Sequence, residues 1–287
     1  MNWQEVVKWR KFCVKKRNST GAQYKSRKVN RNLIQFAHSN GFPGKCFNHL
    51  LNAIENADIN YVELMGHNQF KLNGNLENLA LEVIDSIEQK FEEPVIGIGH
   101  STGGVLLLIA ASIKPQLFRK VIVIEPILYH PWKRKLIHLM KILGLANNIG
   151  PAKRTLKRKS FFETKQEAYE YFKGKQLFQQ FNDQCFNDFI EYGLKESENG
   201  FELAFSKEIE AEIYSSTYTK LPRGIHKLNG TLIYGNKSKM FKKSDAKWWK
   251  SNLRNFDIIE LNEGHLFPLE KPLETAEIIN RIIKHSI

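Results

Sequence analysis

The stretch PVIGIGHSTGGVLLLIAASI (Pro94–Ile113) decides how the rest of the chain is read. Pro94–Ile98 is apolar at nearly every position, which predicts a β-strand covered on both faces. Val105–Ile113 is apolar all round, which predicts a buried helix. Between them Gly99-His100-Ser101-Thr102-Gly103 has the form G-x-S-x-G. A strand running directly into a helix puts Ser101 on a sharp turn, flanked by glycines because a β-carbon there would strike the strand or the helix. The turn lifts Oγ off the end of the sheet, beside the N–H groups and positive dipole end of the helix. A phosphate-binding strand–helix turn has the same outline, so the neighbouring residues must discriminate. The same glycines interrupt the longest apolar tract of the chain, so it is not a membrane span.

Working outward, strands and helices alternate. Asn32–His38 is a strand ending in the turn Ser39-Asn40-Gly41-Phe42-Pro43-Gly44. Ile59–Leu64 is a second strand. Leu76–Phe91 has the 3.6-residue period of a helix with one buried face, and Lys120–Ile124 is another strand. After Pro126 the alternation stops until Gly230–Tyr234; then come a helix near Asp245–Leu253, the strand Asp257–Leu261 and the helix Pro272–His285. Such alternation predicts a parallel sheet with helices on both faces. The intervening residues, 127–222, read as helical stretches only. The expected organisation is a core of residues 1–126 and 223–287 carrying a helical cap, 127–222.

A serine hydroxyl needs a base, and the base needs an orienting partner. His265, in Asn262-Glu263-Gly264-His265 after the last strand, is placed to be that base. For the acid, Glu125 closes the apolar run Lys120–Ile124, where a carboxylate is costly unless paired; Asp245 and Asp257 stay open as alternatives. Two backbone donors would hold an oxyanion: the N–H of Thr102 and one from the loop after the first strand, placed at Asn40.

The net charge is +13 over 287 residues. Residues 1–31 hold ten basic residues and one acid, and residues 131–160 hold nine and none, so the remainder is mildly acidic. No base-reading motif accompanies these charges, which argues against a nucleic-acid partner. Trp132–Ile149 reads as a basic amphipathic helix: its apolar side packs on the core and its basic side is solvated, with a weak contact to anionic lipid as the alternative. Tyr169, Tyr171, Phe172, Phe178 and Phe181 read as cap core. Three scattered cysteines and no Cys/His spacing suggest neither disulfide nor zinc site. With no apolar leader in the first residues, a cytoplasmic protein is expected.

Together Ser101, Glu125 and His265 resemble the α/β-hydrolase superfamily, over about Leu33 to the C-terminus, in its nucleophile–acid–histidine order. FAHSNGFPG (Phe36–Gly44), VELMGH (Val62–His67), GIGHSTGG (Gly97–Gly104) and FRKVIVIEP (Phe118–Pro126) resemble a bacterial group of cap-bearing serine hydrolases. That group takes its acid after the sixth strand, which implies Glu125; the more usual place, within Gly235–Lys239, holds Ser238 and no carboxylate. The usual His-Gly of the oxyanion loop is His38-Ser39 here. The resemblance implies a mostly parallel sheet of about eight strands, with about Lys11–Lys28 forming a first antiparallel pair. It further implies a Ser-His-Glu triad, an acyl-enzyme, a small to medium ester or acyl substrate, and no cofactor or metal. Carbon–carbon bond hydrolysis, and a fold retained for binding without turnover, stay open as alternatives.

Overall fold

The computed structural model describes residues 31–72, 74–143, 151–216 and 219–285. The main sheet is built from β1 (Asn32–Ala37), β2 (Ala57–Tyr61), β3 (Val95–His100), β4 (Phe118–Ile124), and later β8 (Gly230–Gly235) and β9 (Phe256–Leu261). Its order is β2-β1-β3-β4-β8-β9, and every neighbouring pair is parallel. The sheet thus has six strands among the described residues rather than about eight; the antiparallel pair expected near Lys11–Lys28 lies outside them.

Both faces of the sheet are covered, which is why its strands read as apolar runs. Val95, Val121, Val123 and Leu232 turn to the face that packs α1 (Glu77–Lys90) and α2 (Thr102–Ile113). Ile96, Ile98, Ile122, Ile124 and Ile233 turn to the other face. The alternation of valine with isoleucine along β4 is thus a division between two cores. Residues Thr102–Ala111 of α2 are all buried, as a helix apolar on every side must be. Strand β2 begins and ends earlier than its sequence suggests. It is an edge strand of half-buried residues, whose Asn60 donates to Gln35 Oε1 at 2.9 Å and to the Ser86 carbonyl at 3.1 Å. Val62 and Leu64 pack as loop residues instead.

The chain between β4 and β8 forms an insertion: α3 (Pro131–Ile142), α4 (Pro151–Leu156), β5 (Phe161–Phe162), α5 (Lys165–Lys173), α6 (Asp183–Tyr192), β6 (Leu194–Ser197), β7 (Gly200–Leu203) and α7 (Lys207–Ser215). It is not wholly helical. Strands β5, β7 and β6 make a small antiparallel sheet, nucleated by the hairpin around Glu198-Asn199-Gly200, a strong turn signal that its four-residue arms are too short to advertise by period. Phe172, Phe178 and Phe181 are buried, with ring centroids of Phe178 and Phe189 4.7 Å apart, so the aromatic residues do form an interior. After β8, α8 (Lys243–Asn252) precedes β9 and α9 (Pro272–Lys284) closes the chain. No described helix is long and apolar enough to cross a membrane.

Helix α3 follows its sequence reading only in part: Ile137 and Met140 face inward and Lys135 is exposed, but other residues depart from it. Lys133 pairs with Asp245 at 2.6 Å. Arg134 is buried, donates to the Tyr129 carbonyl at 2.9 Å and lies over the Trp248 ring. Trp132, Leu136, Leu139, Ile142 and Leu143 face outward, 50–68% exposed. Charge takes the inner face because Asp245, wholly buried, has an open carboxylate to neutralise there.

The tightest packing lies at the start of α2. A β-carbon on Gly103 would stand 2.0 Å from the Ala37 carbonyl oxygen, and one on Gly99 2.7 Å from the Gly103 carbonyl. Both obstacles are backbone and cannot swing aside. Gly103→Ala is expected to cost about 3 kcal/mol or more in urea unfolding; a loss under about 1 kcal/mol would show that the two backbones can separate.

Candidate active site

The candidate residues all sit at the carboxyl ends of the parallel strands, where open α/β sheets place their ligand crevices. Ser101 follows β3, Glu125 follows β4, the loop His38-Ser39-Asn40 follows β1, and His265 follows β9. Ser101 has φ 55° and ψ −117°, a conformation rarely open to a residue with a side chain. It is held by the Ser101 N–H to the Ile124 carbonyl (2.8 Å) and by the glycine contacts on either side. Strain kept in place by its surroundings is typical of functional turns.

His265 Nε2 lies 3.1 Å from Ser101 Oγ, and His265 Nδ1 lies 2.8 Å from Glu125 Oε2. Ser101 and Glu125 are buried, and the imidazole keeps a partly exposed edge. Glu125 itself has φ 50°. Its buried carboxylate is satisfied by the Gly235 N–H on Oε1 and the Ser238 hydroxyl on Oε2, both at 2.6 Å, besides the imidazole. Those donors offset the desolvation of a charge at the sheet edge. Ser238 in turn accepts from the N–H groups of Met240 and Phe241, so its hydroxyl proton is directed at Glu125.

The alternative acids are elsewhere. Asp245 accepts from the His130 N–H (2.8 Å), the Lys242 N–H (2.9 Å) and Lys133, tying α3 to the start of α8. Asp257 is exposed in β9. Thr102 is the first residue of α2, so its N–H has no intrahelical acceptor. Asn40 lies in the loop after β1, and its side-chain Nδ2 donates to the Glu210 carbonyl at 3.0 Å, which ties that loop to α7. His38 is turned away: Nδ1–H donates to the Ser39 carbonyl at 2.8 Å and Nε2 accepts from the Met65 N–H at 3.2 Å.

Three contributors escape a reading of the sequence. His100 donates from Nε2 to the His265 carbonyl at 3.0 Å, fixing the backbone of the candidate base. Ser238 occupies the place where a carboxylate is more usual and supports the displaced one. Glu210, from α7, is buried, accepts from Arg158 (Nη2 at 2.5 Å) and Thr155 Oγ1 (3.2 Å), and its carboxyl carbon would stand only 2.8 Å from a β-carbon on Gly41. Gly41, at φ +80°, lets the loop after β1 pass this close. Only the polarity of Ser238 at a strand end hinted at any of this.

Over Ser101 lies a cavity of about 530 Å³. Ser39, Asn40, Phe42, Thr102 and His265 form its floor; Ile137, Met140, Lys141, Leu177 and Tyr214, from the insertion, form its walls and roof. The lining is mainly apolar around a few convergent polar groups, the usual make-up of a small-molecule site. Among the described residues no cluster of His, Cys, Asp and Glu could hold a metal ion, and Cys46 and Cys185 are buried free thiols.

Several solved structures similar to this chain are hydrolases. The chain is similar to E-2-(acetamidomethylene)succinate hydrolase at a TM-score of 0.72 and 15% identity, over 88% of this chain and 91% of that one. The peroxisomal α/β-hydrolase Lpx1 of Saccharomyces cerevisiae aligns at 0.66 and 17% identity, covering 93% and 80%. A carboxylesterase structure from the thaumarchaeon Nitrososphaera gargenis aligns at 0.59 and 17% identity, covering 90% and 92%. No protein-family model and no curated protein matches the chain. The chain has the α/β-hydrolase fold.

Burial lowers the pKa of His38 to about 4 and that of His100 to about 3. Both rings stay neutral in the folded chain, while an unfolded imidazole protonates near pH 6.5. The unfolded state therefore binds more protons below about pH 6.5, and each ring removes about 1.4 kcal/mol of stability per pH unit as the pH falls toward its folded value. Urea midpoints are expected to drop steeply between about pH 6 and pH 4, and His100→Gln, which keeps a donor for the His265 carbonyl, should make the fall shallower. An unchanged slope in that variant would mean that His100 is not neutral and buried.

Proposed function

We propose that the chain is a serine hydrolase cleaving a carboxylic ester, or a related acyl bond, of a small to medium substrate. The observation that carries this reading is the continuous relay from Ser101 Oγ through His265 to the buried Glu125, at 3.1 and 2.8 Å, on the floor of an apolar cavity. The neighbours' hydrolase activities agree with it at the level of the fold.

In this mechanism His265 Nε2 takes the hydroxyl proton as Ser101 attacks the carbonyl carbon. Glu125 holds the imidazole by Nδ1 and stabilises the imidazolium that forms. The tetrahedral oxyanion accepts hydrogen bonds from the Thr102 and Asn40 N–H groups, each worth about 3 kcal/mol in the transition state. His265 then gives its proton to the leaving alcohol, breaking the C–O bond. Water, deprotonated by the same imidazole, attacks the acyl-enzyme and releases the acid. The insertion acts as a lid, its Ile137, Met140, Leu177 and Tyr214 excluding solvent from the acyl group.

A fluorophosphonate probe should label the wild type at Ser101 and leave Ser101→Ala unlabelled; a folded wild type that resists the probe overturns the proposal. Glu125→Gln should lower kcat on a nitrophenyl ester by about 10³–10⁴-fold. Asp245→Asn should lower the unfolding midpoint, because it loses the Lys133 charge pair, with kcat per folded molecule within about twofold. The opposite pattern would make Asp245 the acid. A chain that takes the probe but no ester of a chain-length panel would move the assignment to another acyl bond or to carbon–carbon cleavage.

A contact with anionic lipid is supported by a different observation. The outward stripe Trp132, Leu136, Leu139 and Leu143, with Lys135 exposed beside it, lies in a thirty-residue segment that has nine basic residues and no acid. An apolar stripe with basic surroundings suits the interface of an anionic bilayer. Flotation with phosphatidylglycerol-containing vesicles should carry the wild type, and Leu136→Glu/Leu139→Glu should abolish it. Absence of flotation at low salt, or a dimer that the double variant dissociates, would overturn this.

A further inference from the structure

The cavity over Ser101 adjoins a second, more open one of about 860 Å³, and Arg154, Tyr214, Met240 and His265 line both. Besides Arg158, the outer cavity is lined by five cations from three separate places in the chain: Arg154 on α4 and Lys157 just after it, Lys175 after α5, and Lys237 and Lys239 after β8. None of the five forms an ion pair with a described acid, though Lys175 lies over the Tyr171 ring. Two acids face the same space. Glu210 is engaged by Arg158, which lines the wall beside it, and the half-buried Glu270 is a single carboxylate against the five cations. Since the chain outside its two basic segments is mildly acidic, this concentration of unpaired cations is local to the mouth of the site.

We propose that the substrate carries an anionic group, a carboxylate or a phosphate, remote from the bond that is cleaved, and that this cationic mouth binds it while the acyl carbonyl rests on Ser101. The proposal rests on the serine-hydrolase reading of the inner cavity and adds the class of substrate to it. The division of labour is physical. The inner cavity is apolar and suits an alkyl or alkenyl acyl chain; the outer one is open to water, so its charges select and steer rather than clamp. Lysine ammoniums act as point charges without the bidentate geometry of arginine, so both carboxylate and phosphate suit them.

The test uses the full chain and three nitrophenyl esters of equal length: the hexanoate, the adipate monoester with a terminal carboxylate, and the 6-phosphohexanoate. At low salt kcat/KM for one or both anionic esters should exceed that for the hexanoate by tenfold or more. The better of the two names the group. The ratio should fall toward one in 0.5 M salt, where exposed charges are screened within a few ångströms. It should also fall at least tenfold in Lys175→Glu/Lys237→Glu/Lys239→Glu, with folding checked by circular dichroism. Lys284→Glu, at the end of α9 and outside the cavity, should leave the ratio unchanged. Equal or better hydrolysis of the hexanoate by the wild type, or an undiminished ratio in the triple variant, overturns the proposal. If the fluorophosphonate probe fails to label Ser101, the catalytic reading falls by itself. The anion site is then tested by calorimetric titration with adipate and with 6-phosphohexanoate: binding that the triple variant loses supports the site, and no binding to the wild type overturns it.

Discussion

The close approach of Gly103 to the end of β1, where a β-carbon would stand 2.0 Å from the Ala37 carbonyl, sets the geometry on which the site depends. It brings the first turn of α2 against the strand that carries the loop His38-Ser39-Asn40, so the two prospective oxyanion donors come from segments packed backbone to backbone. It also leaves the chain no room to turn except through Ser101, whose positive φ follows from the demand that β3 end and α2 begin at this point. The strain at Ser101 is met by packing that no side-chain rearrangement relieves, since the opposing atoms are main chain. A nucleophile held this way needs no ordering when a substrate arrives.

Glu125 shows how a carboxylate can sit at a sheet edge without solvent. Three donors converge on it, from Gly235, Ser238 and His265; Gly235 ends β8 and Ser238 lies just past it, where the resemblance would place a carboxylate. The acid and its supporting hydroxyl have in effect changed places between adjacent strands, and because β4 and β8 are hydrogen-bonded neighbours the imidazole still reaches its partner. Asp245, equally buried, is occupied in joining α3 to α8 through Lys133. Two buried carboxylates thus have different partners: Glu125 holds the His265 imidazole and Asp245 joins α3 to α8.

The positive charge of the chain acquires meaning from where its carriers point. On α3 Lys133, Arg134 and Lys141 turn inward, to Asp245, to the Tyr129 carbonyl and toward the cavity, beside Ile137 and Met140, while Trp132, Leu136, Leu139, Ile142 and Leu143 turn out. Around the outer cavity Arg154 and the lysines of the loop after β8 form no ion pair with a described acid. Sequence-level counting combines these groups into one basic segment; the fold separates a structural use of charge from one available to a ligand.

The strand–turn–helix through Ser101, the parallel order of the sheet and the positions of His265 and Glu125 were legible from the sequence, because each rests on local periodicity or on a residue type at a strand end. An apolar run flanked by glycines has few other folded solutions, and a carboxylate closing such a run must find a partner. What the tertiary structure decided is everything that depends on who faces whom. The hairpin Leu194–Leu203 hid among helices because its strands are too short for a period to show. Lys133 and Arg134 of α3 face inward against the sequence reading because the helical wheel shows which residues share a face but not which of them meets the buried Asp245. Ser238, His100 and Glu210 act through contacts across 113, 165 and 170 residues of chain, distances over which a sequence carries no local signal. The residues that do chemistry could be named one at a time; the groups that hold them in place could be found only once the chain had folded around them.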